Sequence, residues 1–290
     1  MNNIKQRYHQ LEEIQAGWSF DQKFKAYHND TKQVHFIRIS NDDHLDAQRY
    51  RFDVMNTLFK LECLIQKPIS FEHVEDKIIQ TFNWIEGDTL EKLLPQLDES
   101  TQYEWGVQAG QQLKIIHKIP SRSAMNIFDY YQNRVNKKLA AYHACEYKLE
   151  KEEMFSMMLK DGWATLNNIT TTFQHGDFHV ENMVYHQNQV HIIDFNRSDE
   201  GDPWQEFDRI AFSARVSPAF AKGQIHGYFD YQPPLEFYIR LRFYLAINSF
   251  SSIPWASINY GISEVEHMKK IANEILAWYE GDDVIPLWMK

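Results

Sequence analysis

The first third of the chain alternates short apolar runs with polar turn residues, a pattern typical of antiparallel strands. Residues 14–17 and 23–27 predict two strands on either side of residues 18–21. Residues 34–39 predict a third strand, and residues 78–84 predict a further apolar strand. The pattern therefore predicts a small β-rich region in the amino-terminal part of the chain.

Apolar residues at helical spacing mark the helices. One set predicts a helix inside the β-rich region: Leu45, Phe52, Met55 and Phe59. A second set predicts a helix that stops before Pro120: Trp105, Ala109, Leu113 and Ile116. Residues 126–159 predict one or two more helices, and Pro233-Pro234 opens an apolar helix that runs to Ser252. The chain beyond the first third is therefore predicted to be mostly helical.

Composition narrows the class of protein. The chain has 290 residues, 43% of them hydrophobic, which is enough for two lobes. The two cysteines do not make a disulfide framework, and the starting sequence MNNIKQRYHQ lacks an apolar leader, so we expect a cytoplasmic protein. No apolar run is long enough for a bilayer span, so we expect no membrane partner. The net charge of −10 argues against nucleic acid and suits either a cationic partner or solubility alone.

The most informative stretch runs from Gln174 to Asp194 and reads QHGDFHVENMVYHQNQVHIID. Phosphoryl transfer has a loose transition state, for which a protein mainly supplies positioning, magnesium ligands and one carboxylate that orients the attacking hydroxyl. Asp177 fits that carboxylate, the catalytic base. Asn182 and Asp194 offer the hard oxygen ligands that Mg²⁺ prefers.

The spacing within this stretch also predicts its local structure. Residues 183–185 and 190–193 predict a hairpin around Gln187-Asn188, which would fold Asp194 back beside Asn182 in one cleft. A zinc site is the alternative use of the histidines here. It is disfavoured because Gly176 opposes the helix that would align two of them.

These residues resemble the protein-kinase catalytic loop, H-R-D-x-x-x-x-N followed by D-F-G. This chain has His175-Gly176-Asp177, Asn182 and then Asp194-Phe195-Asn196, with Gly201-Asp202-Pro203 downstream and Ile116-His117 before Pro120 upstream. This form resembles the aminoglycoside phosphotransferase family, small-molecule kinases built on the protein-kinase fold. The resemblance is strongest from about residue 105 to 210.

The resemblance implies an α+β, protein-kinase-like fold with two lobes. Residues 1–84 would form the nucleotide-binding lobe and residues 85–290 the catalytic and substrate-binding lobe. The implied nucleotide contacts are Gly17 and Ser19 in a phosphate-covering loop, Arg38 in place of the third-strand lysine, and the connecting residues Thr81, Phe82, Asn83 and Trp84. For the helix partner of Arg38 we expect Asp53 first and Asp46 second.

Two further residues are expected to support the catalytic loop. One is His175 itself. The other is Glu206, which stands where the family usually carries an aspartate that accepts hydrogen bonds from the loop backbone. A carboxylate at the amino-terminal end of a helix is the simpler explanation of Glu206, and the two are compatible.

The implied reaction transfers the γ-phosphate of ATP or GTP, with Mg²⁺, to a hydroxyl of a small molecule. The acceptor is expected to be an aminoglycoside or another amino-bearing alcohol, and the resemblance leaves the role open between antibiotic resistance and metabolism. The alternatives are a metabolic kinase for choline, homoserine or a sugar-like substrate, or a catalytically silent nucleotide-binding relative.

Candidate acceptor contacts lie just after the hairpin. Asp199, Asp202 and Trp204 are the residues we expect to touch the acceptor, and the acidic run from Asp199 to Asp208 favours a cationic one. Such a run of charged residues more often forms a solvent-exposed surface than a substrate pocket.

Overall fold

The computed structural model describes residues 2–15, 21–122 and 126–290. These form two compact units, an N-terminal unit (Met1–Thr89 and Met183–Phe195) and a C-terminal unit (Leu90–Asn182 and Asn196–Lys290). The assignment of 1–84 and 85–290 to functional lobes stays a prediction. The two compact units are not separated by a single boundary at residue 84, because the segment Met183–Phe195, which contains the hairpin, belongs to the N-terminal unit.

The N-terminal unit is built on a five-stranded antiparallel sheet with strand order β1-β2-β3-β5-β4. Its strands are β1 (Tyr8–Glu13), β2 (Gln22–His28), β3 (Val34–Asn41), β4 (Pro68–Val74) and β5 (Lys77–Asn83). The strands predicted at 23–27, 34–39 and 78–84 are confirmed within a few residues. The edge strand β4 was not predicted, because it begins at a proline and mixes exposed with half-buried positions.

The strand predicted at residues 14–17 is misplaced. β1 ends at Glu13, which pairs with Phe24, and Ile14 and Gln15 follow it outside the strand. Residues 16 and 17 lie outside the described residues. The register of β1 is fixed by Tyr8, which is buried and whose hydroxyl lies 2.9 Å from Nδ1 of His35.

Two helices accompany the sheet, α1 (Asn2–Arg7) and α2 (Leu45–Lys60). The core beside α1 consists of Ile4, Tyr8, Ala26, Ile37, Ile39 and Ile79. α2 confirms the predicted helix, and its Phe52 packs against Phe71 and Phe82 of the sheet. Phe59 is 42% exposed, because the buried stripe of α2 runs through Phe52, Met55 and Leu58 instead.

The predicted hairpin is present as β7 (Met183–His186) and β8 (Gln189–Ile192), which follow β6 (Thr172–Gln174) of the C-terminal unit. Gln187 and Asn188 both have positive φ, 48° and 64°, as a two-residue hairpin turn requires. The Ile192 amide donates to the carbonyl of Leu64 at 2.8 Å, which ties the hairpin to the N-terminal unit.

The C-terminal unit is mostly helical, as predicted. Its helices are α3 (Leu90–Leu93), α4 (Glu99–Ile116), α5 (Ile127–Ala144), α6 (Glu152–Gly162), α7 (Ile210–Val216), α8 (Pro218–Tyr228), α9 (Leu235–Asn259) and α10 (Ile262–Leu276). α9 is largely buried and packs against α5, α6 and α10. α4 and α8 pack closely because Gly106 and Gly223 face the partner helix backbone, where a Cβ would clash. No helix among the described residues has the length and apolar character of a membrane span.

Candidate active site

The His175-Gly176-Asp177 turn follows β6, which pairs with β9 (Asp199–Gly201). Gly176 has φ +84°, a conformation that costs a residue with a side chain about 1–2 kcal/mol. A Cβ at this position would also overlap the Arg197 backbone carbonyl. Glycine is therefore required here on two independent grounds, and it lets the chain turn tightly just before Asp177.

Glu206 holds this turn from the 3₁₀ segment Pro203–Arg209. Its two carboxylate oxygens accept hydrogen bonds from the backbone N–H of His175 and, at 2.8 Å, of Gly176. The side chain is 3% exposed, so both bonds are made away from solvent. Charge-assisted bonds of this kind are stronger than neutral ones. The contact is the one that a loop-supporting role for Glu206 requires.

Glu206→Gln should destabilise the protein measurably. One carboxylate oxygen becomes an NH₂ group that faces a backbone N–H donor, and a buried unmade hydrogen bond costs about 1–3 kcal/mol. Urea unfolding would detect this as a lower midpoint. Glu266→Gln is the matched control, because Glu266 is largely exposed and pairs with Lys269 on the helix surface. Equal midpoints for the two variants would show that Glu206 does not hold the loop.

Asp177 sits among three basic side chains. Its Oδ1 lies 3.2 Å from Nε of Arg209, 3.5 Å from Nε2 of His179 and 3.7 Å from an Nη of Arg197. Burial by itself would raise the pKa of Asp177, but His179, Arg209 and Arg197 outweigh it and hold that pKa well below its usual range. Asp177 is therefore ionised at any pH near neutrality.

Asn182 lies beside Asp177, at the end of the short 3₁₀ turn Val180–Asn182. Its Nδ2 donates to the backbone carbonyl of Asp177 at 2.9 Å and to Oδ2 of Asp177 at 3.2 Å. Its Oδ1 accepts no hydrogen bond from any residue that the structure describes. The amide is thus held by its nitrogen, which leaves an oxygen ligand available.

Asp194 and Arg38 meet in the N-terminal unit. Nη2 of Arg38 donates to Oδ1 of Asp194 at 2.8 Å, and Nε of Arg38 lies 3.6 Å from Asp21. The expected partners Asp53 and Asp46 are wrong: both are exposed on α2 and neither pairs with Arg38. Arg38 points along the sheet toward the end of the hairpin rather than toward the helix.

Lys23 is a neighbouring cation that the sequence did not single out. It pairs across the strands with Arg38, and both are nearly buried, at 7% and 6% exposure. Burial and the charge of Arg38 lower the pKa of Lys23, although Asp194 and Asp21 act in the opposite direction. Lys23 lies on the strand that pairs with the strand of Arg38, and the pairing of these two predicted strands was the signal that could have identified it.

The remaining nucleotide candidates are only partly described. Thr81, Phe82 and Asn83 end β5, and Trp84 follows with its amide bonded to the carbonyl of Val34. Gly17 and Ser19 lie outside the described residues. All of these contacts stay predictions.

The structure contradicts one of the three expected acceptor contacts and does not test the other two. Asp202 is fully buried, where it bonds to Arg240 at 3.2 Å and to the hydroxyl of Tyr244 at 2.5 Å, so a substrate contact for Asp202 is wrong. A buried carboxylate needs such partners, and they come from α9. Trp204 is half-buried under the Arg240 guanidinium, and Asp199 is exposed; their contact with an acceptor stays a prediction.

A polar pocket beside the turn was not predicted. Gly176 is part of its wall. Its charged lining consists of Arg134, Arg197, Arg209, Asp199, Glu206 and Asp208. The lining comes from α5, from the segment after the hairpin and from the 3₁₀ segment, so no short sequence pattern contains it.

A model of the phosphotransferase enzyme family matches residues 10–238. The chain belongs to this family. As a member it is a small-molecule kinase, which agrees with the Asp177 turn and its Glu206 support. No curated protein matches this phosphotransferase in sequence.

Solved structures resemble it across nearly its whole length. The gentamicin complex of APH(2'')-IIa has a TM-score of 0.66 at 14% identity and covers 94% of both chains. The thermostable mutant of aminoglycoside phosphotransferase APH(4)-Ia with ADP and hygromycin B has a TM-score of 0.68 at 15% identity and covers 97% of this chain and 98% of that one. Amicoumacin kinase hAmiN, in complex with AMP-PNP, Ca²⁺ and Ami, has 0.66 at 10% and covers 98% and 97%. This likeness confirms the predicted α+β, protein-kinase-like fold.

Proposed function

We propose that this phosphotransferase moves the γ-phosphate of ATP to a hydroxyl of a small-molecule alcohol, with Mg²⁺ as its metal ion. The observation that carries the proposal is the catalytic turn. Gly176 makes the turn possible, Glu206 fixes its backbone, and Asp177 is kept ionised beside an asparagine with an available oxygen. The solved complexes with ADP and AMP-PNP support an adenine nucleotide as the phosphate donor.

Asp177 acts by orienting the attacking hydroxyl. A carboxylate whose pKa is lowered is a weak proton acceptor, so it contributes little by removing the proton early. A loose transition state requires little early proton removal, because bond formation to the hydroxyl oxygen has barely begun. The same low pKa keeps the carboxylate charged and ready to accept a hydrogen bond from the hydroxyl.

Asn182 and Asp194 are the residues that we assign to the metal. Oδ1 of Asn182 suits Mg²⁺, as does the Asp194 carboxylate. Among the described residues no three His, Cys, Asp or Glu side chains form a metal-binding group. An ion held by Asn182 and Asp194 would take its other ligands from phosphate oxygens and water. When bound, Mg²⁺ supplies positive charge to the phosphate oxygens.

Arg38 remains our candidate for the phosphate contact on the nucleotide side, with Lys23 beside it. We keep Gly17, Ser19 and residues Thr81 to Trp84 in the proposed nucleotide site. GTP is the alternative donor.

Arg38→Ala should weaken nucleotide affinity, and Arg38→Lys should retain part of it, because lysine keeps the charge but not the planar fork. Arg38→Ala should also raise the Mg²⁺ requirement, since Arg38 holds the Asp194 side chain. Isothermal titration with ATP and Mg²⁺ measures both effects. Arg49→Ala is the control, because Arg49 is exposed on α2 and stacks on Phe71. Equal affinity in all four proteins would make Arg38 a structural residue only.

A ligand screen tests the proposed function. A ligand that binds only the folded state raises the melting temperature, so ATP and GTP with Mg²⁺ come first. Amino sugars, macrolides, amino alcohols and neutral sugars then serve as acceptors in an assay of ATP consumption. Mg²⁺-dependent ATP consumption that needs an alcohol supports the kinase. Nucleotide binding without consumption for any acceptor would instead favour the catalytically silent relative.

A further inference from the structure

We propose that Asp202 is a positioning residue for phosphate transfer, which holds the catalytic turn His175-Gly176-Asp177 by two connections and anchors it to α9. The inference rests on the proposed function, because the turn carries the carboxylate that we assign to the reaction. Four buried residues, which we call the Asp202 network, make the link: Gln174, Asp202, Arg240 and Tyr244.

Asp202 caps the start of the 3₁₀ segment that carries Glu206. Its Oδ1 accepts the backbone N–H of Trp204 at 3.0 Å, and its backbone carbonyl accepts that of Gln205 at 2.9 Å. These bonds fix the first turn of the segment, as a capping residue does at the start of a helix. Glu206 is the next residue, and its carboxylate bonds the backbone N–H groups of the catalytic turn. The position of Asp202 therefore sets where that carboxylate lies.

Gln174 provides the second connection to the catalytic turn. It is the last residue of β6 and directly precedes His175, and its Nε2 donates to the backbone carbonyl of Asp202 at 2.5 Å. The Gln174 side chain is buried, so this bond is made away from solvent. Asp202 is thus connected to the turn twice, directly through Gln174 and indirectly through Glu206.

Helix α9 holds the side chain of Asp202 in place. Oδ2 of Asp202 accepts the Tyr244 hydroxyl at 2.5 Å and Nη1 of Arg240 at 3.2 Å. Nη2 of Arg240 donates to the backbone carbonyl of Thr165, and Cζ of Arg240 lies 4.1 Å from the centroid of the Trp204 ring. α9 has 25 residues and is largely buried, so it is a firm base for these contacts.

The buried ion pair between Asp202 and Arg240 has a geometric effect rather than a large effect on stability. Removing two charges from water has a free-energy cost that their attraction roughly offsets, so apolar residues of similar volume often stabilise a core as well. A fully bonded buried network, in contrast, specifies one arrangement of its groups. A misplacement of about 1 Å at a reaction centre can lower the rate by about 10²-fold. The Asp202 network therefore acts on the reaction through the position of the turn.

Tyr244→Phe tests the proposal with the smallest change. It removes one hydroxyl from Oδ2 of Asp202 and keeps the ring, whereas Asp202→Asn removes the buried counter-charge of Arg240 and can unfold the protein. Tyr142→Phe is the matched control, because Tyr142 is also buried and its hydroxyl donates to Glu152 at 2.9 Å, outside the Asp202 network. Each variant loses one buried hydroxyl bonded to a carboxylate, so the connection to the turn is what differs.

Hydrogen exchange of the turn amides is the first readout, and it does not require activity. Glu206 bonds the backbone N–H groups of His175 and Gly176, so their exchange rates report how firmly the turn is held. We expect both amides to exchange about tenfold faster in Tyr244→Phe than in the wild type, and at the wild-type rate in Tyr142→Phe. Unchanged exchange in Tyr244→Phe, or equal acceleration in both variants, would overturn the proposal.

Turnover is the second readout, measured with the acceptor that the wild type phosphorylates best and at a temperature where all three proteins are folded. We expect kcat of Tyr244→Phe to fall about tenfold or more, while its KM for ATP and the turnover of Tyr142→Phe stay near the wild-type values. A wild-type kcat in Tyr244→Phe, or an equal loss in the two variants, would overturn the proposal. Absence of phosphate transfer by the wild type would instead count against the proposed function, and hydrogen exchange would then decide whether Asp202 holds the turn.

Discussion

Asp177→Asn should lower kcat by about 10²–10⁴-fold while nucleotide binding persists. Asparagine keeps the shape of the side chain but loses the charge that orients the acceptor hydroxyl. Arg209 and Arg197 amplify the loss, because their positive charge is then no longer offset at the reaction centre. The measurement is steady-state turnover, with the thermal shift by ATP and Mg²⁺ as the test of intact binding.

Asp230→Asn is the matched control for this variant. Asp230 pairs with Lys114 on the surface of the same unit, with a side chain that is 77% exposed, so its loss should leave turnover unchanged. Near-normal turnover in Asp177→Asn would remove Asp177 from the chemistry.

Asp194→Asn should raise the Mg²⁺ concentration needed for nucleotide binding and turnover more than Asn182→Ala does. The first change removes a charged ligand and the second a neutral one. At limiting Mg²⁺ we expect turnover of Asp194→Asn to fall by about 10²-fold or more, in line with losses seen when one oriented charge is removed from a transition state. Magnesium titrations of both variants and the wild type measure the difference.

The ion pair with Arg38 provides a check on this result. Asp194→Asn leaves Arg38 with Asp21 as its nearest anion among the described residues, so it removes the ion pair as well as the carboxylate. Arg38→Ala removes the ion pair and keeps the carboxylate, so its smaller rise in Mg²⁺ requirement measures the contribution of the pair alone. An unchanged Mg²⁺ requirement in Asp194→Asn would exclude that residue from the metal site.

Features determined by neighbouring residues were predictable from the sequence. The 183–192 hairpin needs only two short strands and two turn residues that tolerate positive φ, and all of these are adjacent in the chain. The helix that contains Trp105 and Ile116 follows from its own periodicity, and the same residues are buried in the structure.

Features determined by distant residues were not predictable. Arg38 finds Asp194 across 156 positions, so a search among the acids of α2 could not identify it. Asp202 is acidic in sequence but buried, because Arg240 and Tyr244 of α9 reach it. The polar pocket beside the turn collects its charged residues from three separate segments, so no count of charge along the sequence could have located it.

Phosphate transfer itself is the most direct test of the account. Wild-type protein is incubated with Mg²⁺, γ-labelled ATP and the acceptor panel, and the label is followed by ³¹P NMR or radiometric separation. We predict that label appears on an acceptor hydroxyl, that chelation of Mg²⁺ stops it, and that Asp177→Asn does not catalyse it. Label that reaches only water or stays on ATP with every acceptor, in protein that binds the nucleotide, would contradict the assignment as a small-molecule kinase.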